Sequence, residues 1–144
     1  MDFSKYFFRG FNKTLRLQNG VNFSYKGPWV PVESNTILDK WYVGEFMAAD
    51  YTIVVDISNA RKQLLKCSVL AGPSEANVIV YGSLTLSENL IDVTATVDNS
   101  NVNVIINPAE SPDGSTYDNS TLLDGARAIF SATYYETINN PTRS

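Results

Sequence analysis

The feature that most constrains this sequence is a strict alternation of apolar and polar residues that turns back on itself between residues 91 and 106. The apolar positions are Ile91, Val93, Ala95 and Val97, followed after a turn at residues 98–101 by Val102, Val104 and Ile106. A period of two is typical of a strand with one buried face. Pairing across the turn sets Val97 opposite Val102 and Ala95 opposite Val104, so buried residues meet buried residues. The segment therefore predicts an antiparallel hairpin.

The same period recurs along most of the chain. It involves Tyr51, Ile53, Val55 and Ile57, then Leu65, Cys67, Val69 and Ala71, and finally Ala126, Ala128, Phe130, Ala132 and Tyr134. An odd-length loop around residues 58–60 places the first two sets on one face. Residues 36–46 are a further candidate strand, 77–82 form a short strand that is apolar on both faces, and residues 125–137 form the last strand. Asn19-Gly20 is a strong hairpin signal. A two-residue loop there sets Leu15 opposite Ser24, which puts the apolar faces out of phase, so either the loop is not two residues long or both faces of the hairpin are covered.

Short strands separated by turn signals indicate an antiparallel sandwich or barrel. We predict an all-β fold, an antiparallel β-sandwich of about seven or eight strands with an extended N-terminal arm. The expected divisions are an arm and hairpin over residues 1–33, a sandwich body over 34–138 and a loose tail over 139–144.

Residue counts exclude several kinds of catalytic site. The 144 residues include no histidine and one cysteine, which rules out a Ser-His-Asp triad, a Cys-His dyad, imidazole metal ligands and an internal disulfide. Cys67 lies on an apolar strand face, as a buried structural thiol does. We expect no enzyme activity, no cofactor and no metal.

The acidic residues form no recognisable site. Glu45, Asp50, Asp56 and Asp92 are scattered, whereas glycoside hydrolysis needs two carboxylates about 5–10 Å apart. The loop over residues 107–124 carries four acidic residues without a calcium-binding pattern. The loop is therefore expected to be solvated.

Charge divides the chain unevenly. Residues 1–32 carry five basic residues and one acidic residue, a net charge of +4, while residues 33–144 carry six basic and fourteen acidic residues, a net charge of −8. The basic part is rich in aromatic residues, which are enriched in protein interfaces together with arginine. The candidate assembly contacts are Phe3, Tyr6, Phe7, Phe8, Arg9, Phe11 and Trp29. Packing of these residues on their own domain is the alternative, and stacking on nucleic acid is disfavoured because the acidic body repels phosphate.

Neither end of the sequence carries a targeting segment of a familiar type. Residues 1–14 lack the apolar run and the small-residue cleavage site of a signal peptide. No stretch approaches the roughly 20 apolar residues of a membrane helix. We expect no membrane contact and no secretion through such a signal.

From about residue 41 to 138 the chain resembles virion structural proteins of T4-like marine cyanophages. The segments that carry the resemblance are Trp41-Tyr42-Val43-Gly44, residues 51–55 (YTIVV), residues 79–82 (IVYG), residues 90–97 (LIDVTATV) and residues 132–137 (ATYYET). The resemblance covers about two-thirds of the chain and supplies no catalytic or binding residues. It implies location in the virion, contact with other virion proteins and a homo-oligomeric state in the particle.

The function expected from residues and resemblance together is that of a non-enzymatic structural subunit of a phage particle, in the tail, baseplate, neck or fibre. The alternative is a receptor- or carbohydrate-binding module. Its stacking platforms would be drawn from Trp29, Trp41, Tyr42, Tyr134 and Tyr135, which are equally suited to an ordinary core.

Overall fold

The computed structural model describes residues 14–16, 22–26, 29–109 and 125–138. Within these residues the chain forms ten β-strands and no helix. The strands are β1 (Thr14–Arg16), β2 (Asn22–Lys26), β3 (Val30–Pro31), β4 (Thr36–Tyr42), β5 (Phe46–Ser58), β6 (Arg61–Ala71), β7 (Ala76–Leu86), β8 (Ile91–Asp98), β9 (Asn101–Pro108) and β10 (Arg127–Glu136). In this part of the chain, therefore, no helix is long and apolar enough to cross a membrane.

The strands form two antiparallel sheets of unequal size. The large sheet has the order β1-β2-β10-β5-β6-β7, with β3 also paired to β10, and the small sheet has the order β4-β9-β8. Buried residues from both sheets make one core, so the sheets pack face to face. The predicted all-β sandwich is confirmed, and eight of the ten strands, β3 to β10, follow residue 29.

Aromatic side chains fill one end of the core. The rings of Phe46 and Tyr134 stack with centroids 4.9 Å apart, and Trp41 meets Tyr134 edge-on at 6.4 Å. The ring centroids of Tyr51 and Phe130 lie 5.7 Å apart. Offset and edge-on pairs of this kind stabilise a core beyond the apolar area they bury.

The predicted hairpin register is confirmed. Val97 lies opposite Val102, Ala95 opposite Val104 and Val93 opposite Ile106. Their alternation leaves one face of β9 completely buried.

The pairing of β5 with β6 also brings the predicted apolar sets onto one face, with Ile53 opposite Leu65. The predicted odd-length loop around residues 58–60 is wrong, because Ser58 pairs with Arg61 across a two-residue turn. A bulge at Ile57 supplies the additional residue that brings the two sets onto one face. The five alternate positions from Ala126, just before β10, to Tyr134 are buried as predicted.

The limits of three predicted strands change. The candidate strand over residues 36–46 ends at Tyr42, because residues 43–45 form a turn and Phe46 opens β5. The short strand over residues 77–82 extends to 76–86. The last strand is two residues shorter at its start and one residue shorter at its end than predicted.

Part of the predicted arm belongs to the large sheet. Both β2 and β3 pair with the same side of β10, and β1 pairs with β2 with Leu15 opposite Ser24. That register is the one a two-residue loop at Asn19-Gly20 gives, although residues 17–21 lie outside the described part. The division of the chain at residue 33 stays a prediction.

Candidate functional site

Most of the predicted assembly contacts lie outside the described residues. These are Phe3, Tyr6, Phe7, Phe8, Arg9 and Phe11. Trp29 is described, and its side chain is 50% exposed next to the first residue of β3. An aromatic ring this exposed agrees with a contact role, which stays a prediction.

Strand β7 presents a surface that the sequence indicated only in part. It is an 11-residue edge strand whose one neighbour in the described chain is β6. The exposed fraction is 64% for Ile79, 58% for Tyr81 and 72% for Leu84. Long apolar edge strands pair readily with other chains, and proteins usually protect them.

The unequal size of the two sheets explains this exposure. On β6, the inward-facing residues Leu65, Cys67 and Val69 are buried beneath the small sheet. The β7 residues that lie opposite these positions are less buried, since Val78 is partly buried and Val80 is exposed. The three strands of the small sheet therefore cover the inward face of β7 only in part.

The outward face of the large sheet is also apolar near β7. Ile129, Val54, Leu64 and Leu84 lie side by side in one row across four strands. A second apolar area surrounds a groove of about 400 Å³ whose lining includes Leu70 and Ile79. We refer to the exposed apolar residues at this edge as the β7 surface, which consists of Leu70, Ile79, Val80, Tyr81, Leu84 and Leu86.

The other edge strands of more than two residues carry charge. Arg16 lies in β1, Lys40 lies in β4, and Asp92 and Asp98 lie in β8. Strand β7 has no charged residue in its 11 positions. Among the described edge strands of more than two residues, it therefore lacks the charges that normally discourage pairing between sheet edges.

A bulge interrupts the pairing of β7 near its middle. Gly82 lies opposite Lys66, and Val80 lies opposite Cys67, so Tyr81 is the additional residue. A bulge twists a strand locally and can protect a sheet edge. On either side of Tyr81, residues 76–80 and 82–86 keep regular pairing with β6.

Three residues weighed as functional groups belong to the interior. Trp41 and Tyr134 are 6% and 5% exposed and lie in the aromatic cluster, so they offer no surface for stacking. Cys67 is fully buried, as predicted, and burial raises the pKa of its thiol to about 12. A thiol of this kind stays protonated and unreactive near neutral pH. The described residues contain no group of three or more His, Cys, Asp or Glu side chains arranged to hold a metal ion.

A polar cluster that the sequence did not predict joins the two sheets. Asp39 Oδ2 accepts hydrogen bonds from the hydroxyls of Tyr51 (2.7 Å) and Tyr134 (2.5 Å). The Trp41 indole Nε1 donates to the Tyr51 hydroxyl at 2.8 Å. Burial raises the pKa of Asp39, although its hydrogen bonds act in the opposite direction. Burial, with the nearby Asp39 carboxyl as the next cause, raises the pKa of Tyr51.

A β-bulge in β4 places Asp39 in that cluster. Ile37 pairs with Ile105 and Asp39 with Val104, so Leu38 is the additional residue. Leu38 and Val104 are both buried. Without the bulge, strict alternation could not place Leu38 and Asp39 on the same face of the strand.

A polar depression of about 240 Å³ lies on the outward face of the large sheet, lined in part by Asp50, Lys66 and Tyr81. Asp50 accepts hydrogen bonds from the Ser68 hydroxyl (2.5 Å) and the Tyr135 hydroxyl (2.9 Å). The hydrogen bond to Asp50 raises the pKa of Tyr135. The depression therefore combines a carboxylate, an ammonium group and the phenol of Tyr81.

Comparison with known proteins identifies no family. No protein-family model matches the chain, and no curated protein matches it.

Two solved structures show similarity to the chain. The tailspike protein of Acinetobacter baumannii phage AM24 aligns with a TM-score of 0.42 and 11% identity, over 81% of this chain and 26% of that one. The tailspike protein of Acinetobacter phage vB_ApiP_P1 aligns with a TM-score of 0.41 and 14% identity, over 79% of this chain and 22% of that one. This chain spans about a quarter of the length of each tailspike.

Proposed function

We propose that this protein is a non-enzymatic structural subunit of a phage particle, located in the tail, baseplate, neck or fibre. It assembles through its sandwich body and its N-terminal arm with other virion proteins and with further copies of itself. It binds no cofactor, nucleic acid or membrane in this role. The sequence resemblance over residues 41–138 supports the placement in a phage particle.

The observation that carries the proposal is the β7 surface. Single exposed apolar residues are common on soluble monomers, but groups of them at one place mark protein–protein contacts or ligand grooves. Here the apolar residues combine with an edge strand that lacks charge along its whole length. A subunit made to associate through that edge accounts for both features.

The decisive test of the virion role is composition of the particle. Mass spectrometry of purified phage particles that carry the gene should detect peptides of this chain in a fixed ratio to the tail proteins. An antibody against residues 29–109 should label one position on the particle in electron micrographs. Particles that contain no such peptide would remove the virion role.

The contribution of the arm is tested by removing residues 1–13. The deletion should stop there, because β2 and β3 pair with β10 and Val32 is 3% exposed in the core. We expect the shortened chain to unfold cooperatively at the same temperature while its assembly weakens. Removal of residues 139–144 is the matched control and should leave assembly unchanged. Equal assembly of both shortened chains would remove the arm from the proposal.

The polar depression favours a second candidate function, recognition of a carbohydrate or a receptor. Its carboxylate, ammonium and hydroxyl groups could hydrogen-bond to a sugar, while Tyr81 presents an exposed ring. Binding sites typically combine an aromatic surface with a few placed polar groups.

A glycan array followed by titration of the best ligand tests this candidate. Asp50→Asn should weaken binding, while Asp92→Asn on the opposite sheet should leave it unchanged. A completely negative array, or equal binding by the two variants, would discard the carbohydrate function at this site.

A further inference from the structure

We infer that β7 pairs antiparallel with β7 of a second copy of this chain, so that the large sheets of two copies become continuous across a two-fold axis. The inference rests on the proposed assembly role and names its partner. A two-fold contact uses the same surface on both copies. The part of β7 that pairs therefore has to complement itself.

The open edge of β7 favours a strand as the partner. Within residues 82–86, Leu84 and Leu86 lie exposed on the outward face, and β6 is the hydrogen-bonded neighbour on one side of the strand. A partner that covered only the outward face would leave the backbone groups of the other side in water. A strand added at the edge contacts both faces and also pairs with the free backbone groups.

Electrostatics favours a second copy at this edge. The chain has a net charge of −4, so two copies repel each other at most surfaces. Strand β7 has no charged residue, so its self-pairing places no like charges opposite each other. The corresponding self-pairing of β8 would bring together copies of Asp92 and Asp98.

The outward apolar row suggests where the two-fold axis passes. The row ends at Leu84, the most exposed residue of β7. If Leu84 of one molecule lies opposite Leu84 of the other, the apolar row that begins at Ile129 continues into the same row of the second molecule. Residues 82–86 keep regular pairing with β6, so the bulge at Tyr81 lies outside this segment.

The geometry can be tested by cross-linking. Directly opposed residues in an antiparallel pair have Cα atoms about 4.5–5.5 Å apart, which falls within the range of disulfides. The full-length Leu84→Cys variant should therefore form a disulfide-linked dimer under mild oxidation. Cys67 does not compete because it is buried. Thr94→Cys, at an exposed position on the β8 edge, is the matched control and should stay monomeric on a denaturing gel.

Association in solution provides the second measurement. In sedimentation equilibrium, Leu84→Lys should weaken the dimer by about tenfold or more, because two lysines would lie opposite each other. Thr94→Lys should leave the dimer unchanged. Leu84 is 72% exposed, so its replacement does not disturb the core, and a thermal melt checks this.

Two results would overturn the inference. One is a monomer at every concentration tested, in which case detection of the chain in particles still decides the proposed function separately. The other is a dimer that tolerates Leu84→Lys but dissociates when residues 1–13 are removed, which would assign the association to the arm.

Discussion

At the scale of single residues, Asp39 links stability to pH. Its pKa is raised from 3.8 by burial in the folded protein. The folded state therefore binds a proton more readily than the unfolded state. The stability that Asp39 contributes to the fold is present below pH 3.8 and is lost as the pH rises through the raised pKa. The stability of the wild type relative to Asp39→Asn should fall over that window.

Urea unfolding of the wild type and of Asp39→Asn at several pH values measures the difference in their free energies of unfolding. Subtracting one from the other cancels the pH dependence that comes from the other carboxylates. A difference that does not change with pH would mean that Asp39 ionises equally easily in the two states.

Gln63 is a second residue whose role is visible only in the structure. Its Oε1 accepts from the backbone amides of Leu90 (2.8 Å) and Ile91 (3.1 Å), and its Nε2 donates to Ser83 Oγ (3.1 Å) and Asn89 Oδ1 (2.5 Å). Gln63 is 2% exposed. Gln63→Leu leaves two buried amides without this acceptor and should lower the free energy of unfolding by about 3 kcal/mol.

Ser83→Ala is the matched control for Gln63, because it removes one partner of Nε2 and leaves both backbone contacts. It should cost less than about 1 kcal/mol in the same urea titration. Equal losses for the two variants would contradict the importance of the backbone contacts.

At the scale of elements, the turn between β8 and β9 carries strain that a glycine would relieve. Asp98 pairs with Asn101, and the two loop residues have positive φ values of 51° for Asn99 and 65° for Ser100. Such two-residue hairpin loops favour Asn-Gly. Ser100→Gly should raise the free energy of unfolding by about 0.5 kcal/mol, after allowance for the greater freedom of glycine in the unfolded chain.

Ser74→Gly provides the comparison for this turn. Ser74 lies in the turn between β6 and β7 and does not have a positive φ. Its replacement relieves no strain and should lower the free energy of unfolding by about 0.5 kcal/mol. If the free energy of unfolding changed with the same sign in Ser100→Gly and Ser74→Gly, Ser100 would not be strained.

The same elements show what could be predicted from sequence. The β8–β9 register followed from alternation because each face of the hairpin has one environment, buried or solvated. The bulge at Leu38 could not be predicted, since two adjacent apolar residues fit either face and the choice depends on Tyr51 and Tyr134, which are distant in sequence. The length of β7 had a usable signal, because residues 83–86 alternate polar and apolar side chains. Its status as an edge depends on strand order, which local patterns do not contain.

At the scale of the whole molecule, charge separates the two proposed modes of association. Attraction between the basic residues 1–32 and the acidic residues 33–144 should weaken with salt. Contact between two uncharged β7 strands should instead hold or strengthen, because salt screens the repulsion between molecules that each carry a net charge of −4. The two modes therefore respond to salt in opposite directions.

Light scattering of the full chain between about 0.05 and 0.5 M salt measures this response, since the Debye length falls there from roughly 14 to 4 Å. A dimer that persists at high salt and disappears in Leu84→Lys assigns association to β7. A dimer that dissociates at high salt, and is absent at every salt concentration once residues 1–13 are removed, assigns it to the arm. The first outcome makes the two-fold pair the unit from which the particle component is built. The second makes a head-to-tail contact the unit, and such contacts form rings or filaments instead of closed pairs.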